Sequence, residues 1–236
     1  MFDTKAHYVR TLFSRVPEEY DSLLGLLTFG QDRHWRASLV EKASPDPEGF
    51  VLDVATGTGL VATDFAGRTR GTGLVIGVDL TLSMLQTARS RLEKRGLQDQ
   101  TAWVLARAES LPFRENCFES ASISLALRNV SDAGKTLEEM TRVTKPGGLV
   151  ASLDFARPPN RIFRLFYYDY LFGLFPLLGR LVSRAWGRTL SYLGRSILRS
   201  RTGQEIETIM AKNALEDPRS VPLTMGVVCL VYGKKR

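Results

Sequence analysis

Cysteine and histidine are scarce in this chain, with two of each among 236 residues. Cys117 and Cys229 lie far apart and match no metal spacing, and neither His7 nor His34 has metal-ligand neighbours. No metal centre is therefore expected, and the thiol usage fits a reducing compartment. Long apolar runs are also missing. The nearest approach is a set of seven aromatics between Phe163 and Phe175, but Asp169, Gly173 and Pro176 break it up too much to span a bilayer. Residues 1–10 (MFDTKAHYVR) hold no apolar core followed by a cleavage site, so no secretory signal is expected. What remains is an ordinary globular composition, 44% hydrophobic and 24% charged, long enough for a single domain over 1–236 with its own core.

Acid is scarce only locally. Residues 157–201 contain nine arginines and one acid, Asp169, a balance of +8, while the rest of the chain is close to neutral. The net charge of +7 is thus one basic, aromatic-rich segment attached to a neutral fold.

Between residues 50 and 156, short β-branched runs alternate with helical ones. Strands are predicted over Phe50–Val54, Leu74–Leu80, Trp103–Ala106, Ser120–Leu125 and Leu149–Phe155, with a closing strand over Gly226–Gly233. Thr81 is the predicted cap of a helix carrying Met84, Leu85, Ala88 and Leu92. Ser131 is the predicted cap of another, stopped by Lys145-Pro146-Gly147-Gly148. This alternation implies an α/β doubly wound, mostly parallel sheet with helices on both faces. Residues 1–45 read as an N-terminal helical lid and 157–201 as an insertion, both near the carboxyl ends of the strands, where ligands bind in such sheets.

The ligand signal begins at Gly57-Thr58-Gly59-Leu60-Val61-Ala62, a G-x-G-x-x-A turn after the first strand, with Asp79 20 residues past Gly59 at the end of the second. Dinucleotide and S-adenosylmethionine (SAM) enzymes share this pattern, in which the acid takes the ribose hydroxyls. Three features separate them. Asp53, just before the turn, would oppose a pyrophosphate but suits the ammonium of a methionine moiety. No Tyr-x-x-x-Lys pair is present for hydride chemistry. The loop Ala108-Glu109-Ser110-Leu111-Pro112-Phe113 after the third strand is of the kind that frames adenine. SAM is the expected cofactor.

Longer stretches carry a more specific resemblance. Val9 to Phe13, Val16 to Asp21, Leu27 to Gly30 with Arg33, Trp35 and Arg36, Leu127-Arg128-Asn129-Val130-Ser131-Asp132, Lys145 to Gly148 and Leu153 to Pro158 are similar to the ubiquinone/menaquinone biosynthesis C-methyltransferases of the UbiE/MenG type. The chain departs from that pattern at Asp32, Arg107 and Ala126, where histidine, an acid or amide, and glycine are usual. The resemblance implies a Rossmann-like class I methyltransferase with a seven-stranded sheet and an antiparallel C-terminal strand. It places Asp53, Gly57, Thr58, Gly59, Asp79, Leu80, Arg107, Ala108 and Ser124 around SAM. It implies Arg128 and Asn129 as the catalytic pair acting on a polyprenylated quinol.

A guanidinium is a poor base, so Arg128 is expected to stabilise a phenolate and orient a water. The alternative is a structural arginine paired with Asp132. Other amphiphilic substrates (a lipid headgroup, a sterol) and a non-catalytic SAM-binding fold stay open, as does a homodimer. The protein is expected to be cytoplasmic, with peripheral contact at the inner face of the cytoplasmic membrane left open. Arg180, Arg184 and Arg188 recur every four residues and suit an interfacial helix on anionic lipid; a lid packed on the sheet has equal weight. No nucleic-acid partner is expected, because no RNA-reading motif accompanies the basic stretch.

Overall fold

The computed structural model describes residues 7, 8, 11, 17–45, 47–174, 177, 180 and 184–236; the side chains of 17–20, 23, 184, 185 and 188 fall outside that description. Seven strands form one sheet in the order β3-β2-β1-β4-β5-β7-β6. They are β1 (Phe50–Val54), β2 (Leu74–Asp79), β3 (Thr101–Leu105), β4 (Phe118–Ser124), β5 (Thr144–Phe155), β6 (Leu215–Leu223) and β7 (Val228–Lys235). The first five pair in parallel, and β7 runs antiparallel to both β5 and β6. From β1 the chain goes to β2 on one side and later to β4 on the other, so the carboxyl end of β1 is a topological switch point.

Strand alternation divides the apolar residues between two cores. Val51, Val75, Ala151 and Leu153 face one, which takes in α1 (Pro17–Leu27), α2 (Gln31–Ala43) and the insertion through Leu27, Trp35, Leu171, Trp186, Leu190, Leu193 and Ile197. Leu52, Val54, Ile76, Val78 and Val150 face the other, which takes in α5 (Ala133–Val143) and α8 (Gly203–Lys212). The helices α3 (Leu60–Ala66) and α4 (Leu82–Glu93) follow β1 and β2.

Several sequence expectations shift. The 1–45 lid breaks at Phe29 and Gly30, both with positive φ, giving two helices; Leu12, Phe13, Val16 and the side chain of Leu23 lie outside the described residues. The N-cap of α5 is Asp132, which accepts from Lys135 N–H, while the Ser131 N–H donates to Glu109. α5 ends at Val143, just ahead of Lys145–Gly148 as expected, but that stretch is the start of β5 rather than a loop, and a register shift opposite β4 accommodates Gly147 at φ +76°. β6 was not foreseen: Pro218 and Pro222 argue against a strand, but β6 is an edge strand with a register shift between Glu216 and Arg219, where proline is tolerated.

The insertion folds as α6 (Arg161–Asp169), a π-type turn over Tyr170–Leu174, and α7 (Arg184–Leu198). α7 packs into the core through Trp186, Leu190, Leu193 and Ile197, as a lid does. The arginine spacing that suggested an interfacial helix thus falls on a segment whose apolar face is packed inward. Arg180 is exposed, and the side chains of Arg184 and Arg188 lie outside the described residues. No helix among the described residues is long and apolar enough to cross a membrane.

Candidate active site

The carboxyl ends of β1, β2 and β4 and the chain after β3 surround a cavity of about 190 Å³. Of the residues picked from sequence, Asp53, Gly57, Thr58, Asp79, Leu80, Arg107, Ala108, Ser124 and Asn129 line it together. Gly59 does not; it serves the turn. Its φ is +77°, and a Cβ there would come within 2.8 Å of the Ala88 Cβ on α4, so only glycine lets α3 start this close to α4. Gly57, at φ +58°, leaves open space where its side chain would be, on the cavity wall. Ala55 (φ 54°) and Leu125 (φ 53°) are held in the left-handed region at the ends of β1 and β4, and both line the cavity. Strain of this kind clusters at functional sites.

Two carboxylates face this space, Asp53 buried and Asp79 half-buried. Asp53 accepts from Thr56 Oγ1 at 2.6 Å. Burial pushes its carboxyl up to about 7; the Thr56 bond opposes this and the charge of Asp79 adds to it. Asp79 accepts from the Gly57 N–H (2.9 Å) and the Thr81 N–H (2.8 Å), which ties the glycine turn to the end of β2. Burial raises its pKa too, against those hydrogen bonds. Neither carboxylate has a salt bridge among the described residues. Two desolvated acids without a counter-cation are costly alone and suit a ligand that brings positive charge and hydroxyl donors. SAM has that chemistry: a sulfonium and ammonium for Asp53, a ribose for Asp79.

Asp21, in α1, closes the cavity from the lid side. It accepts from Thr58 Oγ1 at 2.7 Å and pairs with Arg91 of α4. Asp32, where the family usually has histidine, is buried and pairs with Arg36, whose Nε also contacts Asp64 at 3.3 Å. Arg107 sits beside Glu109 (3.5 Å) and donates to Ser131 Oγ (3.4 Å) at the cavity edge.

A second cavity, of about 320 Å³, lies under the insertion. Its wall is almost wholly apolar: Leu27, Phe29 and Trp35 from the lid, Phe155 from β5, Phe163, Phe166 and Tyr167 from α6, and Leu193 and Ile197 from α7. Leu24 lines both cavities. Arg128 is built into the wall between them rather than projecting into either. Its Nη1 pairs with Asp154 and donates to the Leu125 carbonyl, its Nε donates to Ser196 Oγ (3.2 Å), and its guanidinium lies 4.9 Å over the Phe155 ring. Leu125 lines the first cavity and Phe155 the second. The resolved ion-pair partner is Asp154, not Asp132, whose carboxylate caps α5. Asn129 accepts from the Tyr192 hydroxyl at 3.2 Å.

Sequence reasoning missed Asp154, Tyr192, Ser196 and Tyr167. Asp154 sits in the Leu153–Pro158 stretch already singled out, but nothing local pairs it with a residue 26 positions earlier; adjacency of β4 and β5 does. The Tyr167 hydroxyl is buried with no hydrogen-bond partner among the described residues, and burial raises its pKa while the charge of Arg128 opposes that.

The comparisons agree with this geometry. The profile of the ubiE/COQ5 methyltransferase family matches residues 1–235. "Ubiquinone/menaquinone biosynthesis C-methyltransferase UbiE" of Geobacter sulfurreducens is 34% identical over 231 residues, covering 98% of this chain and 90% of the relative. The protein of the same name from Hahella chejuensis is 35% identical, covering 98% and 92%. Among solved structures, a SAM-dependent methyltransferase from Aquifex aeolicus superposes with a TM-score of 0.61 at 17% identity, covering 84% of this chain and 88% of that one. A Haemonchus contortus phosphoethanolamine N-methyltransferase, solved with S-adenosylhomocysteine, gives 0.61 at 15%, covering 86% and 52%; both show the fold alone. With its fold, cofactor cavity and full-length match in agreement, this chain is a SAM-dependent methyltransferase and belongs to the ubiE/COQ5 methyltransferase family.

Proposed function

We propose that the chain methylates a ring carbon of a polyprenylated quinol, a demethylmenaquinol or a 2-polyprenyl-6-methoxy-benzoquinol. The observation that carries this reading is the pair of cavities. One built around Asp53 and Asp79 adjoins a more apolar one roofed by aromatics, with Leu24 in both and Arg128 between. A reactant with a polar ring and a long apolar tail fits that division.

SAM supplies an electrophilic methyl group on a sulfonium. The protein does the rest. Asp53 and the glycine turn would hold the amino-acid end of SAM, and Asp79 its ribose. The apolar cavity takes the start of the tail and excludes water. A quinol ring carbon becomes nucleophilic once a neighbouring hydroxyl loses its proton, so the protein must stabilise a phenolate. Arg128 is the cation at the boundary, fixed by Asp154, Leu125 and Ser196, so little reorganisation is needed when the negative charge develops. Asn129 and Tyr192 extend the polar edge of that boundary. The hydroxyl proton, and then the ring proton lost after methyl transfer, would both pass to water at that edge.

The test is incubation with labelled SAM and a reduced demethylnaphthoquinol or its benzoquinol counterpart, with the product identified by mass. One methyl replacing one ring hydrogen is expected. Label in a lipid headgroup or a sterol, with none in either quinol, would move the chain to another amphiphile.

A further inference from the structure

Single exposed hydrophobic residues are unremarkable on a protein surface, but a cluster of them around an opening is not. Phe29 is 80% exposed, Phe166 71%, Ile162 69% and Leu165 67%. Ile162, Leu165 and Phe166 stand at i, i+3 and i+4 and share one face of α6, a helix with no buried residue. Phe29 lies beside the insertion, its ring 6.1 Å from that of Tyr170. Phe29 and Phe166 each also line the apolar cavity, so the exposed patch is the rim of that cavity continued outward. The charge around it is mainly positive, with the exposed Asp169 at the end of α6 as the one acid of the segment. Arg157 and Arg161 are exposed and Arg164 is half-buried.

We propose that this face of α6, with Phe29, docks on an anionic phospholipid bilayer, so that the apolar cavity opens directly into lipid. Short apolar anchors flanked by arginine are what an interfacial helix uses. A second copy of the chain fits less well, because two such faces would bring like charge together. The surface lies on α6 and is separate in sequence from Arg180, Arg184 and Arg188. The proposal rests on the quinol reading for its purpose: a polyprenyl tail could pass from bilayer to cavity without crossing water.

The experiment is flotation of the full chain with phosphatidylcholine vesicles, with and without phosphatidylglycerol, at low and high salt. Wild type should float with the phosphatidylglycerol vesicles and less so as salt rises. Ile162→Ser/Leu165→Ser, two positions that line neither cavity, should weaken that binding on the order of 100-fold. SAM affinity and the circular dichroism spectrum should be unchanged. Arg157→Glu/Arg161→Glu should remove the preference for phosphatidylglycerol. Flotation of the serine variant equal to wild type would overturn the proposal. So would wild type that does not float but forms a dimer that the serine variant dissolves. Failure of the quinol reading looks different: no quinol of any tail length is methylated, yet the wild type still floats.

Discussion

Asp53 offers a test in which stability and ligand affinity must move in opposite directions with pH. Its carboxyl, buried beneath the glycine turn, has its pKa raised by burial to about 7, against about 3.9 for an aspartate in water. Between those two values the folded protein holds a proton that the unfolded chain has released. Stability from this residue is therefore fully present at low pH and is lost as pH rises toward 7. From pH 5.5 to 7.5 the loss comes to about 2 kcal/mol, worked from a folded pKa near 7 and an unfolded group already ionised. SAM binding runs the other way. An ammonium facing Asp53 requires the carboxylate, so the proton must leave first, and affinity at pH 5.5 should be roughly 25-fold weaker than at pH 7.5. The perturbation is Asp53→Asn, which keeps the shape and the contact with Thr56 and removes the charge. Asp79 also has a raised pKa, so the wild-type profile alone mixes two groups; the difference between wild type and Asp53→Asn isolates one.

Urea unfolding without ligand and calorimetry with SAM, each at both pH values, measure the two slopes. The asparagine variant should overtake the wild type in stability as pH rises from 5.5 to 7.5, while binding SAM weakly at both. A wild-type protein whose stability relative to Asp53→Asn is flat across that range would refute the reasoning. The carboxyl would then have an ordinary pKa, and its burial would not be storing free energy for the ligand.

Asp79→Ala should weaken SAM on the order of 1.5–3 kcal/mol by removing an acceptor of ribose hydroxyls; unchanged affinity in calorimetry would place Asp79 outside the site. Arg128→Leu should lower kcat on the order of 10²–10³, and it should also destabilise the fold by about 3–5 kcal/mol, because Asp154 is left buried and unpaired. Adding Asp154→Asn should recover most of that stability in urea titrations and none of the turnover; restored turnover would assign Arg128 to structure alone. Tyr167→Phe should leave stability equal or slightly raised, since it removes a buried hydroxyl with no partner among the described residues. If that hydroxyl meets a quinol oxygen, KM should rise several-fold, for a bond worth about 0.5–1.5 kcal/mol; an unchanged KM would detach it from the substrate.

What could be read in the sequence was whatever local chemistry dictates. The apolar run before Gly57 had to be a strand, since β-branched residues bounded by a glycine turn fit little else, and β1 ends at Val54 as expected. Gly57, Gly59 and Asp79 were legible because a positive φ and a carboxylate 20 residues on leave marks at fixed spacing. The arginine stripe was legible as a spacing but not as an environment. Spacing of four says that residues share a helix face; it does not say whether the rest of the helix is buried, and Trp186 and Leu190 settle that for α7. On α6 the same limit worked in reverse. Its aromatics read as one block, yet Phe163 and Tyr167 line the cavity while Ile162 and Leu165 face out.

The role of Arg128 shows most clearly where sequence reading stops. From its neighbours, Asp132 is the natural partner, four residues on and near a helix start. Two demands compete for that carboxylate, and the cap wins, because Asp132 already accepts the Lys135 N–H at the start of α5. Asp154 is available for a reason only the sheet supplies. β4 and β5 run in parallel with Ser124 beside Leu153, so the residue after Leu153 emerges next to the chain leaving β4. There Asp154 accepts the backbone N–H of Arg128 at 2.8 Å as well as pairing with its side chain, fixing main chain and guanidinium together. A cation held from both ends, with Phe155 beneath it and the Leu125 carbonyl at its edge, cannot swing to follow a substrate. For Arg128 to stabilise a phenolate, the substrate's developing charge would have to come to it, which is the arrangement that electrostatic preorganisation requires.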